Sequence, residues 1–409
     1  MAAPERARPT GEPGRQVKGV PAERSRPRGW PTGLIGALGL ILLLDPIIAR
    51  IPGGDEGRSR PAISWRSSFR RASEPEASSD ILCFGDSLIK LGILPRVLEA
   101  RLGRSAYNLA VLGGPPPTSY YLLRRVLERG HVPRALLVDF SPLLLAMDPR
   151  VHLEWWAGLP TARERLELAA HAGDPALAGS LILHGLIASP SKRDAFRIAL
   201  GFAPGEGEER LVGEDLMALL RNWDLNRGAQ VAPRPFVPIR GSLPRPPDRP
   251  GWRWQPHPAH ADFVERFLAL AQAPEIPVYW IIPPAEGAWL DRNESVGTVG
   301  AYRRFVRDQL SRFPALTVLD MQQASWDRRC FRDPIHVNRD GAIRLSLAVA
   351  EAIAPAREGR GPGERWIEMD GAGSVPVHAF QGLLEDLDQS RLAVNRGESG
   401  PITMEGPRR

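Results

Sequence analysis

Short, continuous apolar runs alternate with longer stretches of helical periodicity between residues 80 and 355. The runs 81–84, 135–140, 278–282 and 316–319 hold almost no polar position. That is the pattern of strands buried on both faces of a parallel sheet. A further strand is expected within 105–112, which runs into the glycine pair Gly113 and Gly114. Between these runs apolar residues recur three and four apart. Leu88, Leu91, Leu94, Val97 and Leu98 are one such set; Ile343, Leu347, Ala350 and Ile353 are another. The segments 120–128, 262–271, 299–313 and 341–353 predict amphipathic helices. Strands alternating with helices predict an α/β fold on a mainly parallel sheet.

Two regions depart from this alternation. Residues 146–260 form an insertion, helical at 162–170, 176–187, 193–200 and 214–223, then irregular and rich in proline and arginine over 232–258. Ligands of such folds bind outside the carboxyl ends of the strands, so the helices are expected to cap that edge. The ends are the second departure. Residues 1–29 carry seven basic residues against three glutamates among prolines and glycines, and read as a disordered tail. Residues 30–51 are apolar enough to predict a signal anchor, although Asp45 and Pro46 interrupt the last third. Residues 52–79 read as a flexible stalk and 80–355 as the folded domain. Residues 356–409 read as a largely disordered tail with one short helix near 380–387.

Net charge is +6, from 53 basic and 47 acidic residues. Nearly all the basic residues are arginine, spread along the chain; only Lys18, Lys90 and Lys192 are lysines. Without a basic stripe, nucleic acid is not the expected partner, and the basic tail suits a membrane surface better. Two cysteines, Cys83 and Cys330, set no disulfide framework, though a bridge between them is conceivable in an oxidising compartment. His257 and His260 lack nearby cysteine or further carboxylate ligands beyond Asp262, so no metal is expected, and no motif calls for a cofactor. Trp155, Trp156, Trp223, Trp252 and Trp254 fall in the insertion. They can line a binding pocket or pack the insertion onto the core.

The chemistry sits in two segments about 250 residues apart. In the first, Gly85 and Asp86 end an apolar strand, and Ser87 opens a helix. In the second, Asp333 and His336 are three residues apart on a loop before the helix at 341–353. That spacing lets the carboxylate take a hydrogen bond from one imidazole nitrogen while the other faces a serine hydroxyl. Either segment alone reads equally well as a helix cap or a solvated loop. Together they supply the nucleophile, base and orienting acid of acyl transfer.

These residues resemble the SGNH/GDSL hydrolase superfamily. Gly85-Asp86-Ser87-Leu88 is similar to its first block, and Asp333-Pro-Ile-His336 with the following Asn338-Arg-Asp-Gly341 to its last. The resemblance covers 78–150 and 260–355, about two-fifths of the chain. It implies a three-layer α/β/α fold with a parallel sheet of about five strands. It also implies Ser87 as nucleophile, His336 as general base and Asp333 as its partner. Asn108 and Gly113 match the spacing of the second block, which implies that the Gly113 N–H joins that of Ser87 in an oxyanion hole. Asp86, Asn108, Gly114 and Ser141 are further candidates for the pocket. The third block departs from the family. Its usual Gly-x-Asn-Asp is absent, and Ser141-Pro142 precedes Leu143 near the place of the asparagine. The Ser-Pro pair is similar to membrane-anchored relatives that act in acyl modification of envelope polymers such as alginate and teichoic acid.

The resemblance implies a membrane-anchored esterase, outside the cytoplasm, that removes short acyl groups from a carbohydrate or lipid. The same set serves an O-acyltransferase fed by a membrane acyl-donor protein, and the missing asparagine leaves a non-catalytic envelope scaffold open as well.

Overall fold

In the computed structural model the apolar runs become strands of one six-stranded parallel sheet. The described residues are 58–74, 78–152, 161–186 without 172, 210–233 without 212, 253–354 without 323–325, 365–369 and 377–398. Isolated positions 36, 39, 40, 43–45 and 156 are described as well. The strands are β1 (Ile81–Phe84), β2 (Ala106–Asn108), β3 (Ala135–Val138), β4 (Val278–Ile282), β5 (Leu316–Asp320) and β6 (Trp366–Glu368), in the order β2-β1-β3-β4-β5-β6. All four positions of β1 and of β3 are buried. Alternate side chains therefore feed two cores. Leu82, Phe84, Leu136 and Val138 enter one; Ile81, Cys83, Ala135 and Leu137 enter the other.

Helices cover both faces. The first to be described is α1 (Arg60–Ser73); then α2 (Ser87–Gly92) and α3 (Pro95–Leu102) follow β1, and α4 (Pro116–Glu128) follows β2. After β3 come α5 (Pro142–Ala146), α6 (Ala162–His171), α7 (Pro175–Leu186), α8 (Gly213–Leu225) and α9 (Pro258–Gln272). Next are α10 (Gly287–Ser295), α11 (Thr298–Arg312) and α12 (Arg339–Ile353), and past β6 lie α13 (His378–Gln381) and α14 (Leu387–Asn395). Residues of α4, α9 and α11 share the core that holds Leu82; residues of α2, α3 and α12 share the one that holds Ile81. The chain thus leaves β1 and β2 toward opposite faces. A crevice opens at the carboxyl ends of β1 and β3, where such folds bind ligands.

Three expectations change. The stalk does not hold as a whole: α1 lies within it and buries Ile63, Trp65, Phe69 and Ala72, with Trp65 stacked on Phe69 at 5.8 Å between ring centroids. The tail contributes a sixth strand, and α14 packs against α8, where Arg221 Nε pairs with Glu385 at 2.7 Å. The insertion flanks the sheet. Glu164 of α6 pairs with Arg125 of α4 at 2.8 Å, and the carbonyl of Arg227, after α8, accepts the Asn108 N–H at the β2 edge. The expected helix 193–200 and most of the loop 232–258 lie outside the described residues, as do most of 1–57. Among the described residues no helix is long and apolar enough to cross a membrane.

Lys90 joins α2 to α8. It is 1% exposed and its ammonium lies 4.7 Å from the centroid of the Trp223 ring, while its carbonyl accepts the Gln230 N–H at 2.8 Å. The ring face offsets part of the lost hydration. Burial still lowers the amine from 10.5 to about 7. Below about 7 the folded and unfolded chains both hold the proton and the folded state bears the full penalty; above 10.5 neither holds it. Wild-type stability therefore rises with pH across that window relative to Lys90→Met, which has no such group. Urea midpoints of both proteins at about pH 7 and about pH 10 should show the variant ahead at the lower pH and the gap narrowing at the higher. A gap independent of pH would mean that Lys90 holds its proton in the fold.

Candidate active site

The turn after β1 is set by Gly85, whose φ is +132°. A Cβ there would meet the Asp139 carbonyl oxygen at 2.7 Å, so only glycine lets the ends of β1 and β3 come this close. Asp86 then caps α2. Its Oδ1 accepts the Leu88 N–H at 2.7 Å, and its Oδ2 accepts the Ser141 hydroxyl at 2.5 Å. Burial raises the Asp86 carboxyl above the ordinary range, against the pull of these two hydrogen bonds. Ser87 is the first residue of α2 and is left partly exposed.

The second segment is held as firmly. Phe331 and Val337 bridge across the loop, and the Glu286 N–H donates to the Pro334 carbonyl at 2.8 Å. Asn338 caps α12, accepting from the N–H groups of Asp340 and Gly341 at 3.1 Å each, while its amide donates to the Arg329 carbonyl at 2.7 Å. Gly341 has no room for a side chain, since a Cβ would sit 2.1 Å from the Cys330 carbonyl oxygen. Asp333 Oδ1 accepts the backbone N–H groups of Ile335 at 3.1 Å and of His336 at 2.9 Å.

These two segments meet. His336 Nδ1 lies 2.8 Å from Asp333 Oδ2 and 2.9 Å from Oδ1; His336 Nε2 lies 2.8 Å from Ser87 Oγ. Burial pushes the Asp333 carboxyl up, but the His336 imidazole and the two backbone N–H groups outweigh it and hold the group below its ordinary range. It stays ionised at neutral pH, fixes Nδ1 as the donor, and leaves Nε2 to accept the serine proton.

Beside this relay opens a cavity of about 820 Å³. Ser87, His336, Asp86, Gly113, Ser141 and Leu143 all line it. Gly113 has a φ of +65°. Further walls come from α5, from 253–258 leading into α9, and from the segment 282–298 with α10; Tyr302, Gln322 and Ile335 line it as well. Among the described residues, none of α6, α7 or α8 reaches the cavity. Among the described residues the walls are α5, α10 and irregular backbone beside the strand ends, rather than the helices expected as a cap. Trp254 is one wall, its indole N–H donating to the Pro142 carbonyl at 2.9 Å; Trp156 and Trp223 are core.

Two of the expected pocket residues fall outside the cavity. Asn108 is fully buried: its amide donates to the carbonyls of Ile89 and Ile93 at 2.9 Å each, and its Oδ1 accepts the Ala110 N–H at 3.0 Å. It ties the nucleophile helix to the sheet edge. Gly114 is a packing glycine, where a Cβ would stand 2.9 Å from Val111 Cβ, and its N–H closes the turn onto the Val111 carbonyl. His257 caps α9, and His260 is buried with Nδ1 3.2 Å from the Leu145 carbonyl oxygen. Cys83 and Cys330 are buried free thiols.

Asp139, Thr298, Tyr302 and Gln322 also line the cavity, and no sequence motif points to them. Asp139, at the end of β3, is 1% exposed, and neither carboxyl oxygen has a hydrogen-bond partner among the described residues. The sequence signal was an aspartate in an otherwise apolar run. Burial and the neighbouring Asp86 carboxyl push Asp139 well above the ordinary carboxylate range.

No protein-family model matches the chain, and no curated protein matches it.

The structural assignment of Asn108 has a direct consequence. Asn108→Ala removes three hydrogen bonds in a dry site and should cost about 2–4 kcal/mol in denaturant unfolding. A variant as stable as the wild type would put the side chain elsewhere.

Proposed function

We propose that the chain is an SGNH-type serine esterase on a three-layer α/β/α fold, acting on ester-linked acyl groups of a carbohydrate or lipid. The observation that carries this reading is the Ser87–His336–Asp333 relay, with both contacts at 2.8 Å and the serine contact made across 249 residues of sequence. Its place at the carboxyl ends of β1 and β3, with Ser87 and His336 lining a cavity of about 820 Å³, supports it further.

Ser87 Oγ attacks the ester carbonyl as His336 Nε2 takes its proton, and the Asp333 carboxylate stabilises the imidazolium. The N–H groups of Ser87 and Gly113 receive the oxyanion. Collapse of the tetrahedral adduct breaks the C–O bond, and His336 returns the proton to the departing alcohol. Water, activated by the same imidazole, then hydrolyses the acyl-enzyme.

Leu143 lines the cavity where the family's asparagine is expected, and Ser141 Oγ is committed to Asp86. One missing donor costs about 10²–10³ in rate. The Ser141-Pro142 pair, similar to membrane-anchored proteins of envelope acyl modification, favours as a second reading an O-acyltransferase whose acyl-enzyme passes its acyl group to a sugar hydroxyl. Residues 30–51 anchor either enzyme in a membrane, with the catalytic domain outside the cytoplasm.

A fluorophosphonate probe should label the wild type, fail on Ser87→Ala, and label His336→Ala slower by roughly 10³ or more. Labelling of Ser87→Ala at the wild-type rate would remove the assignment. On p-nitrophenyl acetate the wild type should turn over well below the enzyme median of about 10 s⁻¹. Leu143→Asn should not restore fast hydrolysis, because Pro142 and the Ser141 cap set the course of α5. A wild-type rate at the median would mean the oxyanion hole is complete. The full-length chain should stay with membranes through a carbonate wash; release into the supernatant would refute the anchor.

A further inference from the structure

The turn that carries Gly113 is gripped from two sides. On the side of the nucleophile strand, the Leu109 N–H donates to the Cys83 carbonyl at 2.8 Å and the Val111 N–H to the Gly85 carbonyl at 3.0 Å. On the other side stands α1. Ser64 Oγ accepts the Leu112 N–H at 3.2 Å, and the Ser68 hydroxyl donates to the Ala110 carbonyl at 3.5 Å. Ser64 is 0% exposed, in a helix that Trp65, Phe69 and Ala72 fix on the core.

The Gly114 N–H closes onto the Val111 carbonyl at 2.9 Å, so Leu112 and Gly113 are the central residues of a β-turn. The φ of +65° at Gly113 suits the third position of a type II turn. Among the described residues, every backbone N–H from 109 to 114 has a partner except that of Gly113. Gly113 is half-buried and lines the cavity. The N–H of Ser87 is free as well, since the first residue of a helix has no intrahelical acceptor.

An oxyanion donor acts only at about 2.7–3.1 Å from the developing charge. A displacement of about 1 Å can cost roughly 10² in rate. With leucine at 143, no asparagine amide shares the task, and the placement of the Gly113 N–H matters the more. Among the described residues, the one side chain hydrogen-bonded to the two central residues of this turn is Ser64.

We infer that Ser64 is a positioning residue of the oxyanion hole: by holding Leu112 against α1 it places the Gly113 N–H for catalysis. The inference rests on Ser87 as the nucleophile. It makes a helix in the segment expected to be a stalk part of the catalytic machinery.

The test compares Ser64→Ala with Ser68→Ala, the same truncation one turn along the same helix. Rates are taken per active site titrated to completion with a fluorophosphonate, well below the melting temperature of each protein, so that lost stability alone does not register. Ser64→Ala should lower kcat for an acetyl ester by roughly 10–10² with KM nearly unchanged, the pattern of an interaction made only in the transition state. Ser68→Ala should stay within about threefold of the wild type in both. A trifluoromethyl ketone gives an independent readout. Ser87 Oγ adds to its carbonyl carbon, the serine proton passes to His336, and the carbonyl oxygen becomes the oxyanion. Its affinity for Ser64→Ala should fall by about the same factor as kcat. Ser64→Cys keeps the volume and offers a weaker acceptor, so it should fall between, and it carries the test if Ser64→Ala does not fold.

Equal losses in Ser64→Ala and Ser68→Ala would assign the effect to packing of α1 and overturn the role of Ser64. A wild type that labels and binds the ketone, matched in both by Ser64→Ala, would remove the positioning role and leave the serine chemistry standing. A wild type that never labels would remove the serine chemistry, and the positioning role with it.

Discussion

The Asp333 carboxylate is the constraint on which the site depends. It accepts two backbone N–H groups of its own loop and the imidazole of His336, and so couples loop shape to ring orientation. Ser87 Oγ can meet Nε2 at 2.8 Å only if this loop and the start of α2 are both fixed. The loop is fixed by the Phe331–Val337 bridge, the Asn338 cap and the bare Cα of Gly341. The helix is fixed by Asp86, Asn108 and the buried Lys90. Ser346 joins the two, its Oγ accepting the Leu94 N–H at 2.8 Å, so that α12 holds the break between α2 and α3.

A second constraint is electrostatic. Two carboxyl groups, Asp86 and Asp139, are buried at the ends of neighbouring strands; burial raises both, and Asp86 raises Asp139 further. They are not equivalent. Asp86 is spent on structure, capping α2 and receiving Ser141. Asp139 has no partner in the described chain and lines the cavity. Tyr302, on the same cavity, is also pushed well above its ordinary value by burial and by Asp139, and its hydroxyl accepts the Trp280 indole N–H at 3.0 Å. Burial thus raises Asp86, Asp139 and Tyr302, while the hydrogen bonds of its own loop hold Asp333 low. Opposite shifts in neighbouring groups suit acid–base chemistry.

The central strands were legible because both faces are buried, which leaves no polar position to blur an apolar run. Strands β1 and β4 fall where the apolar runs stand, and the helices of the core agree within a few residues. The edges were harder. Strand β6 buries only Ile367 of its three residues, too little for a pattern to register. Helix α1 is masked in the sequence by four arginines; its burial rests on Trp65, Phe69 and Ala72, spaced four and three apart, with Arg125 of α4 over Phe69 at 5.0 Å. At the site, residue types and spacing pointed to Ser87, Asp333 and His336, which the fold brings into contact. Asn108 was read as a pocket residue because spacing does not reveal which way a side chain faces. Asp139 was passed over because only the convergence of distant elements, β3, α11 and the loop after β5, makes it part of a cavity.

The most direct measurement is the chemical quench of a single turnover. The wild type would be mixed with an acetyl ester, quenched in acid within the first turnover and read by intact mass and peptide fragmentation. One acetyl adduct on the peptide that carries Ser87, decaying as free acetate or acetylated acceptor appears, is the predicted result. Product formation with no adduct at Ser87, or an adduct on another residue, would contradict the account.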